Sequence, residues 1–563
     1  MRNNIIPPVL LMLLQAFLTS PAPAAEAVAG EVLALHTDRR MYISGEIIWF
    51  SLFTAGKEQG QAPSGSLVAY VELINPWNRP VVQSRFSLSG GRGRGDLLIP
   101  DTLSSGTYML RAYTGYMKNY LPYNCFVSEI EIFNPGGSDE YFRAELTEKL
   151  SGGIREIKQA GAAVTTDSLI GRRKLATVNI KTQGSGSGKP ASLSISVVPA
   201  GTSALPPAEG IKADPGNTSG DYRLESTGHY LSGSVRYRGS GTVDSSRFLY
   251  ASVRGKTAEF YHARIRPDGR FDLLLPADSH ERILIIQPEN AVSNMSMEID
   301  TPFPTLLPQM NCVRDTLNQF QLTAFSELSF NFQAGRIYGT PGYNDTPENN
   351  DRRPKKPRFY GIPEMEVYLD DYISLPVMQE VFFELLPGII LRNWESGYEF
   401  NITNPLTGKY YEEPPLVMID GVIINDLNIL AGFDPEKVEK IEVVMTPYLT
   451  GDLILHGIVN VITREGDFGD VIMQDYAAIL PYRSVEAPKV FVHPADQEPA
   501  GSRGRIPDLR NTLFWEPALK TDSRGEAEVA FRTSDQPGLY EITVCGVSEE
   551  GEWIWAKEVF RVE

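Results

Sequence analysis

The sequence predicts a mainly β protein: several β-sandwich modules and one small α+β domain. Three observations carry that prediction. The chain has 563 residues, too long for one core and enough for three or four domains at ~150 residues each. Short β-branched and aromatic runs closed by Gly, Pro or Asn recur along most of it, as in stacked sandwiches. Helical patterning is limited to a few short stretches, the clearest being "VMQEVFFELL" closed by Pro387-Gly388. Hydrophobic residues make up 42% of the chain and aromatics 10%, which permits packed cores. Lys and Arg number 52 against 70 Asp and Glu, a net of -18 with an isoelectric point near 5.0. That balance argues against nucleic acid as a partner, because phosphate binding needs clustered positive charge.

Residues 1–27 read as a secretory signal. Arg2 precedes an apolar run from Val9 to Leu18, and "TSPAPAAEA" offers Ala22/Ala24 or Ala25/Ala27 for cleavage. No Cys stands there to carry a lipid, and no later apolar run is long enough to span a bilayer, so the mature chain is expected to be exported without a transmembrane segment. Residues 28–135 follow as strands, with Tyr108, Leu110 and Ala112 on one face. "DRRMYISGEIIWFSLF", with Tyr42, Gly45 and Glu46, the later Gly106-x-Tyr108, and the closing "SEIEIF" resemble a macroglobulin domain of the alpha-2-macroglobulin superfamily. Within this module Arg94-Gly95-Asp96 reads either as an adhesion tripeptide or as a Gly-rich hairpin.

Residues 136–172 are expected to be a linker with helical pieces, Ser138 or Asp139 capping "EYFRAELTEKL". Residues 173–222 resume β patterning of macroglobulin type, with Leu193, Ile195 and Val197 alternating inward. Residues 223–300 resemble the transthyretin-like or carboxypeptidase-regulatory sandwiches, and Asp268-Gly269 before Phe271, Leu273 and Leu275 predicts a hairpin. Residues 301–354 combine a stretch that can be helical, "NCVRDTLNQFQLTAFSEL", with a Pro-rich linker. The basic residues from Arg352 to Arg358 suit solvent or an acidic membrane surface.

In residues 355–470, "ELLPGI", "MIDGVIIND", "VEKIEVVM" and "GIVNVITR" occur in order. Asp420-Gly421 predicts a tight hairpin turn, and Asp434-Pro435 a capped helical turn leading into a strand. The ordered set resembles the plug domain of TonB-dependent outer-membrane receptors. About a hundred residues follow Gly466, too few for a receptor barrel, so the resemblance implies a plug-like unit without a barrel. Residues 440–466 are expected to give two neighbouring strands of a self-contained domain, with Leu453-Ile454-Leu455 as core or as a contact surface.

Residues 471–563 resemble a further macroglobulin-superfamily piece at Trp515, Pro517, Asp522, Gly525, Tyr540 and Gly546. Ala527, Val529 and Phe531 alternate inward, as do Tyr540, Ile542 and Val544, leaving Cys545 on the other side. "VCGVSEE" supplies no Gln for a thioester.

Candidate chemistry is sparse. His36, His229, His262, His280, His456 and His493 stand singly without metal-ligand spacing. Cys125, Cys312 and Cys545 are too few and too scattered for a disulfide framework, and Cys125 and Cys312 read as packing residues. "GSGSGKP" imitates a phosphate loop but runs into Pro190. Asp370/Asp371 is an acidic pair of a kind common in turns. No catalytic residue, cofactor or metal is assigned. The expectation is a non-catalytic cell-envelope scaffold or partner-binding protein, its partners envelope or outer-membrane proteins, and the domain order resembles exported, multi-module proteins of the Bacteroidota. The alternatives are an accessory of TonB-dependent uptake, a thioester-free macroglobulin-like protease inhibitor and a hydrolase with no visible motif.

Overall fold

The computed structural model describes residues 31–56, 65–122, 125–137, 140–146, 161–183, 188–206, 222–237, 247–289, 295–307, 310–338, 343–344, 357–395, 397–468, 477–493 and 507–563. Strand makes up 50% of the protein and helix 10%, so it is mainly β. The signal-like residues 1–27 lie outside the described residues, as does most of the basic linker.

The first sandwich sets a sheet of Glu31–Thr37, Ile47–Gly56 and Arg92–Leu98 against one running Met41–Ile43, Phe126–Phe133, Gly106–Thr114, Val68–Ile74 and Pro80–Ser87. Its core takes Tyr108, Leu110 and Ala112 from one strand face, with Phe50, Phe86 and Tyr113. "RGD" is neither a loop nor a hairpin. It lies inside Arg92–Leu98, paired to Ile47–Phe53, with Gly95 buried where a Cβ would stand 2.5 Å from Phe50.

The stretch expected to be helical after residue 138 is a strand, Tyr141–Leu146. It pairs with Met310–Asp315 and, at Gly106 and Thr107, with the first sandwich. Tyr141 and Ala144 bury on that sheet, a tertiary gain that outweighs local helix propensity. Cys312 lies on the added strand and is only partly buried, so its packing role is smaller than expected. The helix beyond it begins at Gln319 and runs to Tyr338, seating Phe325 and Leu328 on Met41 and Ile43.

The second sandwich pairs His229–Tyr237 with Arg270–Leu275 and Met295–Ile299. Its other sheet runs Glu259–Arg264, Phe248–Val253, Arg282–Pro288 and Ala478–Tyr482. Gly269 makes the expected turn at φ 82°, but the strands on either side pair in different sheets, so it joins the two layers and is not a ladder hairpin.

A third sandwich is assembled from two distant parts of the chain. Leu175–Thr182 pairs with Glu526–Arg532, and Ala191–Pro199 lies between Phe514–Lys520 and Gly538–Ser548. Leu193, Ile195, Val197, Val529, Phe531, Tyr540, Ile542 and Val544 share its core. Cys545 faces the opposite side, in a small cluster with Phe53 and Trp555. Strands thus cross the expected segment limits near 222 and 471. The β segments before and after residues 357–468 complete each other.

The seam between the first and third sandwiches sets a buried polar network among apolar clusters. Arg39 is buried between Asp38 (3.2 Å) and Glu46 (2.9 Å). Tyr42 donates to Asp38 at 2.7 Å, Thr512 to Asp38 at 2.5 Å, and Asn511 to Glu46 at 2.8 Å. The Tyr-x-x-Gly-Glu residues are therefore part of a buried network, with Gly45 at φ 90° against Phe332. His36 sits in the same seam, bonded to Ser194 (2.7 Å) and Thr543 (3.2 Å) between Trp515 and Trp555. Burial pushes its pKa down to about 3, so it is neutral.

Candidate functional site

Residues 357–468 form an α+β unit around the sheet Met365–Tyr368, Val438–Val444, Ile458–Thr463, Leu416–Ile419 and Val422–Ile423. The two long strands of the 440–466 stretch are antiparallel neighbours, and Tyr448–Thr450 and Leu453–Leu455 make a small hairpin between them. The helix Met378–Leu385 buries Met378, Val381 and Phe382 on the core.

Local chemistry fixes the turns. Asp420 (φ 46°) and Gly421 (φ 75°) form the left-handed pair of a tight hairpin. The Asp420 carboxylate accepts from the Thr463 amide (2.8 Å), the Thr463 hydroxyl (2.5 Å) and the Phe468 amide (3.0 Å), tying the turn to the neighbouring strand. Asp434 caps a 3-10 turn by accepting from the Glu436 amide, with Pro435 at its start.

One face of the unit is covered by the second sandwich. Leu416, Met418, Ile423, Val444, Leu453, Leu455 and Ile458 form a single apolar cluster with Phe248, Tyr250, Ala258 and Phe260. Leu453 and Leu455 are 4% and 6% exposed, while Ile454 points outward at 51%. The turn is pressed against the same sandwich: Gly255 donates to the Asp420 carbonyl at 2.9 Å, and a Cβ on Gly421 would lie 2.7 Å from the Val253 carbonyl. Lys256 pairs with Glu439 at 2.5 Å at the rim, and Arg264 with Asp452. The expectation of a self-contained domain is corrected here. "LILH" is core and contact surface at once, its partner being another part of the same chain.

Inside the unit, Glu442 is fully buried and holds Arg358 (2.6 Å), Lys440 (2.7 Å) and the Tyr360 hydroxyl (2.5 Å). Burial, reinforced by Glu442, pushes the Tyr360 phenol far above its ordinary value. This is a closed structural network. Arg358, the last of the linker's basic residues, belongs to it. Asp370 is held below the usual carboxylate range by Arg464 (2.6 Å) and forms no pair with Asp371.

Elsewhere the unit exposes large apolar side chains. Ile362, Ile373, Phe383, Trp394, Leu406 and Leu449 are 92%, 84%, 68%, 53%, 85% and 69% exposed. Residues 357–468 carry six Lys and Arg against nineteen Asp and Glu, so a net of -13 out of the chain's -18 lies in this unit. That asymmetry was countable from the sequence by windowed charge. The exposure of the apolar side chains was not.

The residues singled out for chemistry stay apart. His229 donates from Nδ1 to Glu225 (2.7 Å) and accepts at Nε2 from Arg85 (2.7 Å), a neutral form dictated by a guanidinium that can only donate. His262 lies 3.6 Å from Asp452, His280 3.6 Å from Asp278, and His456 2.8 Å from Glu413. His493 stacks on Phe514. Among the described residues no three metal-ligating side chains converge, and all three cysteines are free. Four residues of "GSGSGKP" lie outside the described residues, and Lys189 beyond them pairs with Glu550.

No protein-family model matches the chain, and no curated protein matches it. Solved structures do. Salmonella alpha-2-macroglobulin reacted with methylamine aligns over 94% of this chain at 8% identity with a TM-score of 0.24. The native Escherichia coli alpha-2-macroglobulin aligns over 95% at 8% identity and 0.25. The chain spans 39% and 40% of the lengths of those two proteins. Likenesses of this size carry no functional inference. No helix among the described residues is long and apolar enough to cross a membrane.

Proposed function

We propose that this protein is a non-catalytic, exported scaffold of a bacterial cell envelope that presents its plug-like unit to a protein partner. The observation that carries the reading is the two-sidedness of residues 357–468. One apolar face is fixed on the second sandwich, and elsewhere the unit, whose own residues carry a net charge of -13, exposes large apolar side chains. Exposed aromatic and aliphatic groups of this kind mark interaction surfaces, and an acidic field sets the sign of what approaches.

The signal-like N-terminus supports export, and the ordered plug-like pieces support an outer-membrane-side location of Bacteroidota type. A non-catalytic role fits the buried polar groups: Arg39, His36, His229 and Glu442 are each engaged in structural bonds. Burial pushes the Cys545 thiol far up, which suits packing and not a thioester.

Fractionation of cells with and without residues 357–468, combined with cross-linking from the outward surface, tests the proposal. An envelope-resident chain that cross-links to one protein, and loses it on deletion of the unit, is the expected result. Loss of solute uptake on the same deletion would assign the unit to transport. A cytoplasmic chain, or cross-linking that survives the deletion, would overturn the reading.

A further inference from the structure

We propose that the partner contact of this unit is the segment 371–384, and that its occupant is a protein segment carrying apolar side chains flanked by Lys or Arg. The proposal rests on the scaffold reading and deepens it. In the helix Met378–Leu385 the inward face is Met378, Val381 and Phe382, so the i, i+3, i+4 rule puts Glu380, Phe383 and Glu384 together on the outward face. All three are exposed, Phe383 at 68%. The lead-in adds Tyr372 at 50%, Ile373 at 84% and Val377 at 38% exposure.

Folding does not account for these choices. An aromatic ring on the solvent side of a surface helix gains nothing from the core. Glu384 lies in the last turn, where the helix dipole disfavours an anion. Glu380, in the first turn, is explained by that dipole, but Glu384 and Phe383 are not. The carboxylates nearest the covered side of the unit are neutralised within the chain, Glu439 by Lys256, Asp452 by Arg264 and Glu442 by Arg358 and Lys440. Asp371, Glu380 and Glu384 have no ion pair among the described residues.

Charge selects the occupant. A unit with a net of -13 repels a second copy of itself, an anionic lipid surface and nucleic acid, and attracts a cationic segment. Apolar groups would seat on Phe383 and Ile373, and the flanking cations would meet Glu380, Glu384 and Asp371. This is the arrangement in which an amphipathic helix is read by its anchors.

The test uses the full chain and two synthetic amphipathic peptides of ~18 residues, about five helical turns, one of Leu and Lys and one of Leu and Glu. Fluorescence anisotropy should show the Lys peptide binding and the Glu peptide not. Phe383→Ser, and Glu380→Gln with Glu384→Gln, should each weaken binding by about tenfold or more, the size of a hot-spot loss. Phe383→Leu should retain binding, and Phe330→Ser, on the exposed side of the 319–338 helix, should leave it unchanged. Thermal melts of each variant show whether it is folded. Equal binding of both peptides, no binding of either, or a Phe383→Ser variant that is folded and binds as before would each overturn the proposal. If deleting residues 357–468 abolishes cross-linking in cells while Phe383→Ser preserves it, this contact patch is wrong and the scaffold reading stands.

Discussion

The first sandwich meets the third through a buried charged network set among apolar side chains, whereas the second meets the α+β unit of residues 357–468 through one apolar cluster. In the polar seam Arg39 lies between two carboxylates, with Tyr42, Asn511 and Thr512 satisfying the remaining lone pairs. In the apolar seam twelve buried side chains share one cluster, and the charges stay at the rim. A buried network adds geometric definition, but each member is costly to lose, because what remains is an uncompensated charge. An apolar seam tolerates gradual loss, falls with area and ignores pH. The molecule thus holds its first and third sandwiches in a pose defined by directional bonds, and attaches the α+β unit of residues 357–468 chiefly by apolar area.

The largest effect is expected in the polar seam. Arg39→Met should destabilise the chain by about 3–5 kcal/mol, since Asp38 and Glu46 would be left buried without a cation. Denaturant unfolding measures it, and a loss under about 1 kcal/mol would show that the network is not holding the seam. Next, Leu453→Ala should cost about 3 kcal/mol by opening a cavity in the apolar seam. Carbodiimide coupling of Lys256 to Glu439, 2.5 Å apart across it, should fall in parallel, while the Arg39 variant should couple normally.

Acid should then weaken the polar seam. The folded-state pKa of His36 is depressed to about 3, below the ordinary 6.5. Its contribution to stability is complete above pH 6.5 and is lost progressively as pH falls from there toward 3. At pH 5 the loss is about 2 kcal/mol, at ~1.4 kcal/mol per pH unit. His36→Gln should flatten that part of the stability profile, and a profile as steep as the wild type's would contradict the assignment. His229 and His262, both lowered chiefly by burial, act in the same direction, and Asp452 partly offsets the effect at His262.

Gly421→Ala is a smaller probe of the apolar seam. A left-handed φ of 75° and a carbonyl 2.7 Å from the added Cβ should cost about 1–2 kcal/mol. The melt of the full chain reads it. Smallest of all, Lys256→Ala should change stability by about 0–1 kcal/mol, because the pair with Glu439 is half-exposed and screened. Added salt should erase the difference.

Much of this was legible in the sequence where physics is local. The Asp420-Gly421 turn, the Asp434-Pro435 cap and the helix through Phe382 depend on backbone preference and periodicity within a few residues, and each stands where expected. Alternation in Leu193–Val197 and Tyr540–Val544 marked inward faces correctly. The strand at Tyr141–Leu146 was misread because its helix-like polarity is local, while its pairing partner is more than 150 residues away. "RGD" was misread because Gly-rich composition resembles a loop, although Gly95 is small to admit Phe50 and Phe86.

Sequence alone determined the β class, the turn chemistry and the acidic character, all of which follow from short-range sterics and composition. Only the tertiary structure decided that residues 162–199 and 514–562 close one sandwich, that Leu453 and Leu455 face the second sandwich, and that Phe383 faces water. An apolar residue carries the same signal whether its partner lies in its own unit, in another module or in a different molecule. Burial is a property of what the chain brings together in space, and amphipathic period alone does not name the partner.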